Sequence, residues 1–155
     1  MNIERKDIRG VTMTLTGGRL LLPNANIAEI ITFAEPEPVP GAPAWILGRL
    51  RWRGWRLPLI SFAKLAGFAT QEGEMGAKVA VLRALGQTPR LPYFCLLTQG
   101  FPRLTTVASD ALIPADEGEL PPGALMRVLL RDEYSYIPDL LDIERRLVEE
   151  LQLAA

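Results

Sequence analysis

The sequence predicts an all-β fold with short helices, and three of its features do so. Apolar and polar side chains alternate over short runs, beginning with Val11-Thr12-Met13-Thr14-Leu15, the period-2 pattern of a half-buried strand. The connections between such runs are short or rich in proline and glycine, which favours antiparallel sheets or small barrels over alternating β-α-β units. Helical spacing is confined to two places, one after Ser61 and one near the C-terminal end.

The elements follow in order. Gly17-Gly18 turns the first strand into a second that begins at Leu20-Leu21-Leu22, and residues 27–33, largely β-branched, predict a third. Residues 35–43 hold Pro36, Pro38, Pro40 and Pro43. Each pushes the residue before it toward extended geometry, so a stiff loop is expected. Pro43 opens a single helical turn over residues 44–47, closed by Gly48. Residues 49–53 and 55–60 read as two strands joined at Gly54. Ser61 caps a short helix over residues 62–66 that Gly67 stops.

Residues 70–76 are polar and contain glycine, a break between two halves. Residues 78–85 and 93–98 are apolar strands with residues 86–92 turning between them, and residues 103–107 add a third. An acidic, proline-rich loop is expected over residues 114–123. A last hairpin joins residues 125–130 to 134–137 through Asp132-Glu133. Asp139 or Asp142 starts a terminal helix reaching about residue 152, with Leu140, Ile143, Leu147 and Leu151 on one stripe. At an offset of 80, Ile27-Ala28 matches Val107-Ala108, Leu50-Arg51 matches Leu130-Arg131, and Leu57-Pro58 matches Ile137-Pro138. Both halves run hairpin, internal proline, helix, the order a duplication leaves.

At 155 residues, 48% hydrophobic and 23% charged, the chain has an ordinary folded composition and suits one domain or two small ones. Residues 1–10 carry no secretory pattern, and no apolar stretch approaches the roughly 20 residues of a membrane helix, so a soluble cytoplasmic protein is expected without membrane insertion. There is no histidine, which removes Ser-His and Cys-His nucleophile pairs and His-containing zinc sites. The single cysteine, Cys95, lies in an apolar run and reads as a buried structural thiol. The three lysines fall in no recognisable motif. Hence no catalytic residue, metal, cofactor or small-molecule substrate is expected.

Function is concentrated between Gly48 and Ile60. On a strand, Arg49, Arg51 and Arg53 share one face and Leu50 and Trp52 the other. Arginine forks so spaced suit carboxylates on a partner. A solvated strand face anchored by a tryptophan explains the same pattern. So does a single-stranded nucleic-acid binder, with Trp45, Trp52 and Trp55 as stacking platforms. Against that last reading stand the net charge of -1, the acidic 110–119 segment and the lack of a second basic cluster.

The run from Val39 to Gly48, then Arg51-Trp52-Arg53-Gly54, then Leu57-Pro58-Leu59-Ile60, resembles the signature of CheW-like domains: a "vPnaPpyvkG" loop, an "NLRG" turn and a "vPviDL" strand. Upstream, Ile27-Ala28-Glu29-Ile30 resembles that family's "VxEI". The second half is similar more loosely, in the manner of ChpC-type relatives from type IV pilus chemosensory systems. The resemblance implies two intertwined five-stranded SH3-like β-barrels, spanning about residues 11–69 and 77–138, with a hydrophobic seam between them and a C-terminal helix over about 139–152. It also implies a non-catalytic adaptor whose partners are the cytoplasmic tip of a methyl-accepting chemoreceptor and the regulatory domain of a CheA-type histidine kinase. The residues so implicated are Ile27, Glu29, Arg51, Trp52, Arg53, Gly54 and Trp55. Glu29 and Arg53 match the family's acidic and basic residues near the receptor-facing region and form a candidate for a partly buried ion pair that fixes the arginine-bearing turn; Gly54 matches the turn glycine. The chain departs from the pattern at Arg51, Trp52 and Ser61, where the family has Asn, Leu and Asp.

Overall fold

The computed structural model describes residues 7–108, 110–115 and 118–153. Most of the N-terminal segment expected to lack a secretory pattern, together with Asp116 and Glu117 of the acidic loop, lies outside the described residues. Strands β1 (Ile8–Leu15) and β2 (Gly18–Pro23) form the first hairpin, and a 3-10 turn at Asn24–Asn26 leads into β3 (Ile27–Thr32). The next hairpin is β4 (Ile46–Trp52) and β5 (Trp55–Ile60), followed by helix α1 (Phe62–Ala66). The second half repeats this order with β6 (Ala77–Arg83), β7 (Tyr93–Gln99), β8 (Arg103–Val107), β9 (Ile113–Pro114), β10 (Ala124–Leu130), β11 (Glu133–Pro138) and α2 (Leu140–Glu150).

The two sheets run β3-β6-β7-β5-β4 and β8-β1-β2-β11-β10-β9. They do not divide the chain at residues 70–76. Each half donates its first hairpin to the other half's sheet: β6 and β7 sit among β3, β4 and β5, while β1 and β2 sit among β8, β10 and β11. Each sheet therefore draws on both spans, 11–69 and 77–138, which is the intertwining of the two halves. Within each sheet the junction between hairpins of different halves is parallel, β5 with β7 and β2 with β11, and every other neighbouring pair is antiparallel. One sheet also carries a sixth strand, the two-residue β9, inside what the sequence predicts as a loop.

Exchange explains why β6 and β7 read as continuous apolar runs. Val79, Val81, Cys95 and Leu97 face the interior of their own sheet with Leu50, Trp52, Leu57 and Leu59. The alternate residues Ala80, Leu82, Phe94 and Leu96 face a seam shared with Val11, Met13, Leu20 and Leu22 of the other sheet. A strand covered on both sides has no polar face to show. The other sheet has a smaller interior of Leu21, Val107, Val128 and Leu130. Both helices cap the seam through Phe62, Leu65, Leu140, Ile143 and Leu147.

Helix ends follow the caps. The Ser61 hydroxyl accepts from the Lys64 N–H at 3.1 Å and Gly67 closes α1 at φ 81°. Of the two aspartates that read as starts for α2, Asp139 is the cap, accepting from the Asp142 N–H at 3.1 Å. The single helical turn expected at residues 44–47 is instead a reverse turn closed by Ile46 N–H to Pro43 O at 3.0 Å, after which β4 begins. The proline-rich loop doubles back on that strand, and Glu37 exchanges backbone hydrogen bonds of 2.9 and 2.8 Å with Arg49. Gly48, at φ 146°, makes this approach possible, because a Cβ there would collide with the Glu37 carbonyl.

Candidate functional site

The β4–β5 hairpin closes on two residues, Arg53 at φ 46° and Gly54 at φ 82°, between the paired Trp52 and Trp55. Positive φ at both central positions is the type I′ geometry whose twist matches the flanking strands. Nothing lies within 4 Å of a Cβ built on Gly54, so its backbone angle, not crowding, is what selects glycine.

The turn pulls Arg53 off the strand face. Arg49 and Arg51 remain on the outer face, but Arg53 departs from them, which corrects the expectation that all three share it. Its guanidinium lies 4.7 Å from the centroid of the Trp52 ring and donates to Glu29 Oε1 at 2.8 Å. Trp52 Nε1 donates to the other oxygen, Oε2, at 3.2 Å. Trp52 is buried and meets Tyr93 edge-on at 4.8 Å between centroids. Thus one carboxylate on β3 holds both an indole and a guanidinium of β4 and its turn. Because β3 and β4 are the two edges of their sheet, the contact links strands that share no backbone ladder. Arg53 is 68% exposed, so the ion pair sits at the weak end of the range, about 0.2–1 kcal/mol. Positioning of the tip, rather than stability, is what it supplies.

The remaining expected residues divide. Trp55 is half exposed beside the turn, and Arg51 is exposed on the outer face. Ile27 does not join the tip: its side chain packs on the seam and its carbonyl accepts from Arg83 Nη1 at 2.7 Å. Trp45 also packs on the seam, leaving Trp55 as the one tryptophan with an open face. The stacking platforms of a nucleic-acid binder are therefore mostly spent on the core.

Some contacts escaped the sequence reading. Arg56 pairs with Glu37 at 2.7 Å, joining the proline-rich loop to the hairpin. Ser61 Oγ donates to the Glu72 carboxylate, which also receives Gln99 Nε2 at 3.5 Å. Where the resembling pattern has Asp, this chain thus has a serine with a carboxylate brought in from the connection between halves; only the departure at Ser61 hinted at it. Glu144 of α2, buried, accepts from the N–H groups of Leu85 and Gly86 at 2.8 and 2.7 Å and ties the helix to the 84–92 loop.

Reactive chemistry is sparse. Cys95 is buried, and desolvation pushes its thiol up to about 12, far from a nucleophilic thiolate. Among the described residues, no three metal-ligating side chains gather, and no helix is long and apolar enough to cross a membrane.

The family model for the CheW-like domain matches residues 9–148. No curated protein sequence matches the chain. Among solved structures, the fold is similar to the crystal structure of scaffolding protein TtCheW from Thermoanaerobacter tengcongensis, with a TM-score of 0.73, 15% identity, and coverage of 90% of this chain and 89% of that one.

Proposed function

This chain belongs to the CheW-like domain family, and from that premise we propose that it is a non-catalytic chemosensory scaffold. It couples the cytoplasmic tips of methyl-accepting chemoreceptors to the regulatory domain of a CheA-type histidine kinase. The observation that carries the reading is the Glu29 clip. The two positions that match the family's receptor-facing acidic and basic residues are bonded to each other at 2.8 Å and to the buried Trp52. A hairpin tip held from three directions presents a preorganised surface, which lowers the ordering cost of binding a partner. The absence of histidine and the buried, protonated Cys95 thiol support a role in contact rather than turnover. The looser, ChpC-like second half supports a type IV pilus pathway driving twitching motility, with the protein in the cytoplasm at membrane-bound receptor arrays.

Capture of a purified receptor tip and kinase regulatory domain tests the reading. Arg53→Ala and Glu29→Lys abolish capture while the circular dichroism stays that of wild type. Arg131→Ala, in the corresponding turn of the other sheet, retains it. Undiminished capture by both tip variants sinks the assignment.

A further inference from the structure

On the outer face of β4 and β5 lies a shallow cleft of about 240 Å³ whose lining includes Arg49, Trp55, Arg56, Arg90, Leu151 and Leu153. Three elements far apart in sequence meet there: the hairpin, the 84–92 loop and the residues following α2. Arg51 adjoins it, directly opposite Arg56 in the ladder. Like charges facing each other across an antiparallel pair destabilise a sheet. Glu37 relieves only Arg56, at 2.7 Å; Arg49, Arg51 and Arg90 have no carboxylate partner among the described residues. Four guanidinium groups are thus gathered on one face of a chain whose net charge is -1. Beside them are one open indole and two leucines.

We propose that this cleft is a second docking site, distinct from the Glu29 clip, and that its occupant is an acidic segment of a partner protein carrying apolar residues between its carboxylates. The inference rests on the reading of the chain as a protein-binding scaffold. The charge argument requires an anionic occupant, since each unpaired fork gains a bidentate partner. The leucines and the indole select the kind of anion. An aliphatic floor suits leucine-like side chains, whereas a nucleic-acid strand needs successive aromatic platforms, and the cleft offers one.

The test uses the full chain and a fluorescein-labelled peptide of alternating glutamate and leucine, followed by anisotropy, with an alternating lysine and leucine peptide and an oligothymidylate as further arms. The glutamate peptide binds, the lysine peptide does not, and affinity falls as salt screens the forks. The double reversal R49E/R90E weakens binding by about tenfold or more. Arg90→Ala, a change confined to an exposed loop residue, weakens it measurably and guards against misfolding of the double variant. Equal binding of the two peptides, unchanged affinity in both variants, or preferential binding of the oligothymidylate overturns the proposal. Peptide binding by a wild-type protein that captures neither receptor tip nor kinase domain supports this site and counts against the scaffold assignment alone.

Discussion

The two hairpin tips of the molecule are built alike and furnished differently. In one, Arg53 and Gly54 turn β4 into β5; in the other, Arg131 and Asp132 turn β10 into β11, at φ 49° and 65°. Each arginine reaches across to the far edge of its sheet. Arg53 finds Glu29 on β3, while Arg131 donates to Thr105 Oγ1 and to the Thr106 carbonyl on β8, both at 3.1 Å. The device is therefore architectural in origin, a clip across the open side of a curled sheet. What sets the first tip apart is its surroundings: a carboxylate, a buried indole under the guanidinium, an exposed indole opposite, and further arginines along the strand. The two halves carry equivalent clips, and charge and aromatic surface are concentrated at one.

The largest expected effect comes from removing the indole. Trp52→Ala costs about 3–5 kcal/mol and Leu130→Ala, its counterpart at the start of the other turn, about 2–5 kcal/mol. Urea denaturation measures both. Only the first also ends partner capture, because Glu29 and Arg53 lose their common support. Equal loss of capture at matched destabilisation would erase the distinction between the tips.

Backbone strain gives a smaller difference. Gly54→Val places a branched side chain at φ 82° and lowers stability by roughly 1–3 kcal/mol. Asp132→Val at φ 65° costs less, roughly 1 kcal/mol, because a Cβ already occupies that left-handed position. Urea midpoints in the reverse order would show that the second turn is the tighter one.

The smallest effect compares the helices that follow the hairpins. In α2, Asp142 accepts from Arg146 Nε at 2.8 Å and Arg145 Nη2 at 2.5 Å, and these arginines hold its carboxyl below the usual 3.8. A depressed folded value means stability that is present above 3.8 and lost as the pH falls through the lower, folded value. The difference in urea midpoint between wild type and Asp142→Asn is thus expected at neutral pH, fades in strong acid, and shrinks with salt because the group is near the surface. A gap that persists unchanged below that range would assign the effect to the helix propensity of asparagine rather than to the charge.

Local structure was legible in the sequence wherever a residue acts on its near neighbours. Ser61 and Gly67 bound α1 as read, and the turn at Gly54 lies where glycine marks it. The larger failures come from interactions set by distant chain, while one is local. Asp132-Glu133 misplaces the last turn by one residue, because pairing of Leu130 with Glu133 decides it. That register also puts equivalent turn residues two positions away from the offset of 80. Ile113-Pro114 shows no strand pattern and becomes one only by lying beside Val128 and Leu129. The exchange of hairpins leaves one local mark, the continuous apolar runs of β6 and β7, and that mark does not say which strands they join. At the site, the Glu29–Arg53 pair was legible through family resemblance, whereas Arg90 comes from a loop with nothing to announce it.

The exchange bears on how the chain is made. The sheet built from β3 to β7 needs nothing beyond Gln99, so it can assemble while the remainder is still being translated. The β1–β2 hairpin emerges earlier but pairs with β8 and β11, leaving Leu21 without its cover from Val107, Val128 and Leu130 until the later strands exist. An apolar ribbon waiting for late-arriving neighbours is exposed to aggregation during synthesis. Of these hairpins, the earliest to emerge is the one whose sheet closes last.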